Sequence, residues 1–385
     1  MTWARGPGGH GGLSLLLVTL ASMMPGPAQA QIELRNLVFT GGFSVEGYGG
    51  NLSAVTVPLV DSTDHAQAAI GEFGARGSLL LRTRYDGERL IERLVLDFDA
   101  GLRQFAARGF ELRDYAPREW AARTALTWER VLGHRGTMTL TGSARSRDVE
   151  DRPPMPLFLQ PGYLALRAGA YFETNPIQGV SFDAGLTALW SDYDAIELLS
   201  QLDLLDHRTQ AVELGANTGR GVWDLRFYGG VRRALYPHQE SFDVTDPYRR
   251  DVAFHMGTHW TYLDGVSALL GVEGTINRSN SKRPEYDAVS VTGQLVAPLP
   301  WWQTHVSLFA VLTGKTYVHE TDFARLVPGE EADNASQVYL QLTRPVAPNL
   351  DGSVRFGWAR AETDIGRSYF SRFGASVLLD FRPGG

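Results

Sequence analysis

Tyr369-Phe370-Ser371-Arg372-Phe373-Gly374-Ala375-Ser376-Val377-Leu378-Leu379-Asp380-Phe381 is the stretch that decides the fold. Phe373, Ala375, Val377, Leu379 and Phe381 fall on one side, with Arg372, Gly374, Ser376 and Asp380 on the other, the period-two pattern of a β-strand. Only Leu378 breaks the alternation. A strand that is apolar along one whole side needs a cover, and Arg382-Pro383-Gly384-Gly385 are too few to supply one. Lipid can be that cover.

The same pattern recurs upstream. Phe73 to Gln104 reads as a hairpin around Asp86-Gly87, a dipeptide suited to the positive φ of a tight two-residue turn. With Tyr85 facing Glu88, Leu79 meets Leu94 and Ala75 meets Phe98 on one face, while Arg76 meets Asp97 on the other. Glu92 is the exception on the apolar face, near the turn. Trp120 to Leu132 and Met138 to Ser146 form the next hairpin, through a turn at His134-Arg135-Gly136 with Gly136 as its bulge glycine. Further turns are expected at Arg220-Gly221, Asp264-Gly265 and Pro348-Asn349. Counting an opening strand at Leu37 to Tyr48, the pattern yields about 16 strands.

In its alternating terminal strand, with Gly374 and the aromatic Phe381, the chain resembles Gram-negative outer-membrane β-barrel proteins of porin-like type. That resemblance implies an all-β, antiparallel up-and-down barrel over residues 31–385, recognised by the barrel assembly machinery through the last strand and embedded in outer-membrane lipid. It implies a periplasmic side for the short turns. Longer connections near 49–68, 106–118, 148–161, 194–208, 237–250 and 318–335 are then extracellular. A homo-oligomer is compatible with it. Trp128, Trp190, Trp223, Tyr262 and Trp302 stand near strand ends, as interfacial girdles require.

Composition agrees with this without deciding it. The 385 residues are 43% hydrophobic and 21% charged, with 42 glycines and a net charge of -7. The mean hydropathy of -0.17 argues against helical membrane spans, but a barrel averages lipid-facing and lumen-facing residues into the same value. There is no cysteine, which excludes disulfides, thiolate metal sites and a cysteine-linked lipid anchor. The acidic balance points away from nucleic acid. Residues 1–30 read as a secretory signal peptide, with Arg5, the apolar run from Leu13 to Met24 and a small-x-small site at Ala28-Gln29-Ala30.

The inward face carries the functional expectation. Arg76, Arg82, Arg93, Arg123, Arg145, Arg147, Arg167, Arg226, Arg232, Arg355 and Arg372 are expected to line the lumen, as are Arg84 and Arg103. Asp97, Asp99, Glu129, Asp183, Glu213 and Glu273 are expected among them. Buried dry, so many charges would each cost several kcal/mol; a wet lumen removes that cost. The expected role is passive diffusion of small hydrophilic solutes or ions. Two further readings are a structural or surface-interaction barrel with a plugged lumen and a lipid-active barrel enzyme. Residues 195–205, as an amphipathic helix, are the candidate plug.

No catalytic set, cofactor or metal site is expected. His255 and His259 would chelate on a helix, but on a strand they stand about 13 Å apart at about 3.3 Å per residue. The acidic clusters at Asp61-Ser62-Thr63-Asp64 and Glu330-Glu331-Ala332-Asp333 lack the glycine-anchored spacing of a calcium loop.

Overall fold

The computed structural model describes residues 32–50, 67–108, 118–150, 162–194, 206–241, 245–281, 285–300, 303–318, 336–362 and 369–383. The signal segment, the 195–205 segment, both acidic clusters and Trp302 lie outside these.

The described chain is a closed barrel of sixteen strands, each hydrogen-bonded to its sequence neighbours, with the last returning to the first. In order they are β1 (Glu33–Gly50), β2 (Gln67–Asp86), β3 (Arg89–Arg108), β4 (Arg118–Val131), β5 (Gly136–Glu150), β6 (Tyr163–Thr174), β7 (Val180–Tyr193) and β8 (His207–Arg220). Then come β9 (Trp223–Glu240), β10 (Tyr248–Asp264), β11 (Val266–Ser279), β12 (Tyr286–Leu299), β13 (Thr304–Tyr317), β14 (Ser336–Ala347), β15 (Leu350–Glu362) and β16 (Tyr369–Phe381). Closure leaves no sheet edge, which is the condition for a sheet to cross a bilayer. No helix among the described residues is long and apolar enough to do so; the crossing is made by strands.

β16 closes the barrel as its alternation requires. Phe381, Leu379, Val377 and Phe373 stand opposite Phe39, Gly41, Phe43 and Gly47 of β1. Leu378, the residue out of pattern, points inward and is buried. Beyond the strand, Arg382 donates its backbone N–H to Asn349 O at 2.8 Å and pairs with Asp351, tying the end of β16 to the β14–β15 turn.

The apolar residues of the alternation are on the outside. Phe43 is 77% exposed and Met256 73%, and they belong to a belt that also contains Leu186, Leu214 and Phe254. In water so large an apolar surface would drive aggregation; against acyl chains it is satisfied. This is the architecture of an outer-membrane β-barrel. Both terminal strands and the seven short turns share one end, with the eight remaining connections at the other. The 237–250 stretch, expected as a long loop, is strand over 237–240 and 248–250, which leaves 241–247 between β9 and β10.

The turns differ from expectation in detail. In the first hairpin Asp86 pairs with Arg89, so Gly87 and Glu88 are the turn residues, and Gly87 takes φ 63° at the first central position. The register therefore moves by two relative to the expected one: Leu79 meets Leu96 and Arg76 meets Asp99, while Asp97 meets Ser78. A shift of two keeps every side chain on its face. In the β4–β5 turn the left-handed residue is Gly133, at φ 65°, and Gly136, at φ 144°, stands where a Cβ would lie 2.0 Å from Glu173 O.

One expectation fails at a bulge. Between Leu80 and Arg82 the register slips by one, leaving Leu81 as the extra residue on β2. Arg82 then pairs with Leu94, and Arg84 with Glu92, both on the outward face of β3. Arg82 and Arg84, expected in the lumen, are outside it. Leu80, the last residue before the bulge, faces inward and is buried.

Candidate functional site

The inner wall is the candidate site, and its side chains fall into distinct groups. On β7 to β11 the centre is Arg226. Its Nη2 donates to Asp183 Oδ1 at 2.6 Å and to Glu213 Oε1 at 2.7 Å, and Asn217 Nδ2 donates to Asp183 Oδ2 at 2.9 Å. Beside it, Tyr228 Oη donates to Glu273 Oε2 at 2.9 Å and stands 3.4 Å from His259 Nε2, while His255 Nε2 stands 3.4 Å from Glu213 Oε2. Asp183, Glu213, Arg226 and Glu273 are thus brought together as one network. His255 and His259 both face inward with Tyr228 between them, its ring centroid 6.3 Å and 4.9 Å from theirs. Among the described residues no group of three or more His, Cys, Asp or Glu has the arrangement to hold a metal ion.

Glycines on neighbouring strands explain how these large side chains fit. A Cβ on Gly257 would come within 2.6 Å of Tyr228 Oη, one on Gly271 within 2.5 Å of the His259 ring, and one on Gly230 within 2.7 Å of His255. The same holds for Gly215 against Asp183 and Gly185 against Tyr171. Each glycine provides a shelf on which the adjacent side chain lies along the wall instead of projecting into the bore. The physical result is a polar lining that takes up little of the cross-section.

On β1 to β5 the wall carries a second network, around Arg103. Its Nη2 is 2.9 Å from Glu46 Oε1 and 3.7 Å from Glu72 Oε1, and its Nη1 is 3.5 Å from Glu119 Oε2. Arg147 Nε donates to Glu119 Oε1 at 2.8 Å, and Arg372 Nη1 is 3.8 Å from Glu46 Oε1. The Ser44 hydroxyl donates to Glu72. Glu46, Glu119 and Arg147 are buried here, which neutral pairing permits. Glu46 and Glu119 are absent from the sequence-derived set. Their signal was available in the alternation of Glu46 with Val45 and of Glu119 with Trp120.

Nearer the short-turn end, Arg76 reaches over β1 to Asp380, Nη2 to Oδ2 at 3.3 Å. Arg355 Nε donates to Gln341 Oε1 at 3.0 Å on the adjoining wall. Together with Thr40, Gln294 and Tyr339 these residues line a recess of about 310 Å³ that opens to the lumen. Arg93 pairs with Glu129 at 2.9 Å, and Asp97 accepts from Ser78 at 2.6 Å.

The remaining arginines are different. Arg123 and Arg145 stand directly opposite each other on β4 and β5, and Arg167 faces Ser143 on β6, one strand further on. All three are exposed to the lumen, and among the described residues none forms an ion pair. Asp99, in register with both Arg76 and Arg123, is the carboxylate nearest in the sheet. Arg232 faces Ala211 and Ala253 and is exposed in the same way. Like charges opposed across a ladder are unfavourable, and water or a counter-ion in the bore relieves them.

No protein-family model and no curated protein sequence matches the chain. Among solved structures it is similar to Pseudomonas aeruginosa OprD, at 10% identity over 93% of this chain and 99% of that one, with a TM-score of 0.42. It is also similar to Pseudomonas aeruginosa OccD3 (7% identity, 93% and 95% covered, TM-score 0.43) and to a bacterial polysaccharide outer-membrane secretin (9% identity, 91% and 99% covered, TM-score 0.40). At this level of likeness the reading of the lumen rests on this chain's own residues.

Proposed function

We propose that this chain is a porin-like channel of the outer membrane that lets small hydrophilic solutes and ions diffuse through its bore. The observation that carries this reading is the inner wall itself, rich in charged and polar side chains laid along glycine shelves inside a closed ring of sixteen strands. Barrels of this size enclose more space than their own side chains fill, and leave an aqueous channel. A dry interior would leave Arg123, Arg145 and Arg167 as uncompensated charges costing several kcal/mol each. Water in the bore accounts for their placement.

Their sign also sets a preference. Most carboxylates around Arg226, Arg103, Arg93 and Arg76 are engaged by these arginines, whereas Arg123, Arg145 and Arg167 on β4 to β6 have no ion-pair partner among the described residues. The free charge on the β4 to β6 stretch of the wall is therefore positive, and anions should pass it more readily than cations.

Refolded protein in a planar bilayer under a salt gradient tests both statements. Stable conductance steps with a reversal potential on the anion side support the channel. A silent membrane despite verified folding would replace it with the plugged, surface-interaction barrel.

A further inference from the structure

We infer that the outward wall of β2 to β4 carries a binding site for the headgroup of an anionic phospholipid in the periplasmic leaflet. The inference rests on the reading of the chain as a transmembrane barrel with its short turns in the periplasm. It begins with the bulge at Leu81, which moves Arg82 and Arg84 from the lumen to the lipid side. There they meet outward residues of the next two strands in a grid. Arg84, Glu92 and Arg130 form one row across β2, β3 and β4, and Arg82, Leu94 and Trp128 form the row above it.

Within the grid Glu92 is buried and committed. Its Oε1 accepts from Trp128 Nε1 at 3.1 Å and stands 3.6 Å from Arg82 Nε, the latter too far for a hydrogen bond. Leu94 is buried beneath the same neighbours. Arg84 and Arg130 are exposed on either side, without an ion-pair partner among the described residues. One carboxylate among three guanidiniums leaves the patch net positive. The two free guanidiniums rise from Cα positions two inter-strand spacings apart, about 10 Å. Side chains of that length can converge on one phosphate, which guanidinium groups bind through paired N–H donors.

The place in the membrane identifies the occupant. Above the grid the outward residues are apolar, Leu79 and Leu96 on β2 and β3 and Leu126 on β4. Below it are the Gly87-Glu88 and Leu132 to Arg135 turns. The patch therefore stands at the border between acyl chains and periplasm, with the Trp128 indole at headgroup depth. Elsewhere on this rim outward arginines are single, as at Arg220 and Arg344. A phosphodiester carried by a lipid meets the guanidiniums and the indole together; a free phosphate meets only the guanidiniums.

The test uses the full chain refolded into phosphatidylcholine vesicles containing a minority of brominated phosphatidylglycerol. Trp128 emission is obtained as the difference from Trp128→Phe. Stronger quenching by brominated phosphatidylglycerol than by equally brominated phosphatidylcholine is expected. The excess should fall by roughly fivefold for each arginine removed in Arg84→Gln and Arg130→Gln, the enrichment that a surface arginine carries. Equal quenching by the two lipids in a folded barrel would overturn the site. So would a change in Trp128 emission on adding inorganic phosphate to phosphatidylcholine vesicles alone, since that marks a soluble-anion site. Folding is scored separately by heat-modifiable migration on a gel, so failure to form a barrel stays distinct from failure to select a lipid.

Discussion

The Thr40 hydroxyl donates a 2.5 Å hydrogen bond to Asp380 Oδ1 across 340 residues of sequence, on the strand pair that closes the barrel. The contact exists only when the first and last strands are side by side, and on the lipid side it is matched by Phe39 against Phe381 and Phe43 against Val377. Removing residues 369–385 would expose the edges of β1 and β15 inside the bilayer, where unpaired backbone groups each cost several kcal/mol. The truncated chain should therefore show no heat-modifiable migration. If it migrated like the full chain, closure through β16 would be wrong.

Leu186 and Thr187 are neighbours at the middle of β7, the first outward and 58% exposed, the second inward between Gly169 and Ala211. Leu186→Arg should destabilise the folded barrel by about 2–4 kcal/mol, the cost of a cation near the bilayer midplane. Thr187→Arg enters water and should cost less than about 1 kcal/mol. Urea midpoints in lipid vesicles compare the two. Equal costs would mean that the faces are wrongly assigned.

The faces were legible in the sequence because alternation is a local property, read within one strand. Strand number and the polarity of the ends followed from the same signal. What was not legible depends on single-residue slips. Leu81 sits in the run Leu79-Leu80-Leu81, whose apolar sequence gives no sign of an extra residue, and the presence of that residue decides whether Arg82 faces water or lipid. The inner networks were legible only as a list of charges. Arg226 finds Asp183 and Glu213 from two other strands, and no pattern along one strand states that pairing. The glycine shelves were hidden for the same reason: Gly271 is explained by His259, on the strand before it.

Arg226 shows what such a network contributes. Arg226→Gln leaves Asp183 and Glu213 facing each other without their shared cation. The group is partly open to the lumen, so solvent screens much of the loss; about 1–2 kcal/mol is expected. Adding Asp183→Asn should recover part of it. A double variant no more stable than the single one would show that the two carboxylates are independent.

Arg123 and Arg145, opposed across β4 and β5, place two like charges side by side on the wall of the bore. Replacing both by Glu should move the reversal potential under a salt gradient from the anion side to the cation side. Screening over about 10 Å at 0.1 M salt means that the change should weaken as salt is raised. An unchanged reversal potential would place the selective section elsewhere along the bore.

Gly185 tests whether the shelves keep the bore open. A Cβ there would lie 2.9 Å from Tyr171 Cδ1 and 3.0 Å from Cε1, with no backbone atom among its close contacts. The Tyr171 ring can yield by rotating off the wall into the lumen. Gly185→Ala should therefore leave the barrel folded and lower its single-channel conductance. Gly293→Ala, with nothing within 4 Å of its Cβ, serves as the control and should conduct like the parent. Combining Gly185→Ala with Tyr171→Ala removes the displaced ring and should restore conductance to the parental level or above it. If Gly185→Ala conducts normally, the ring has room to move along the wall, and the glycine serves packing between strands instead of the width of the bore.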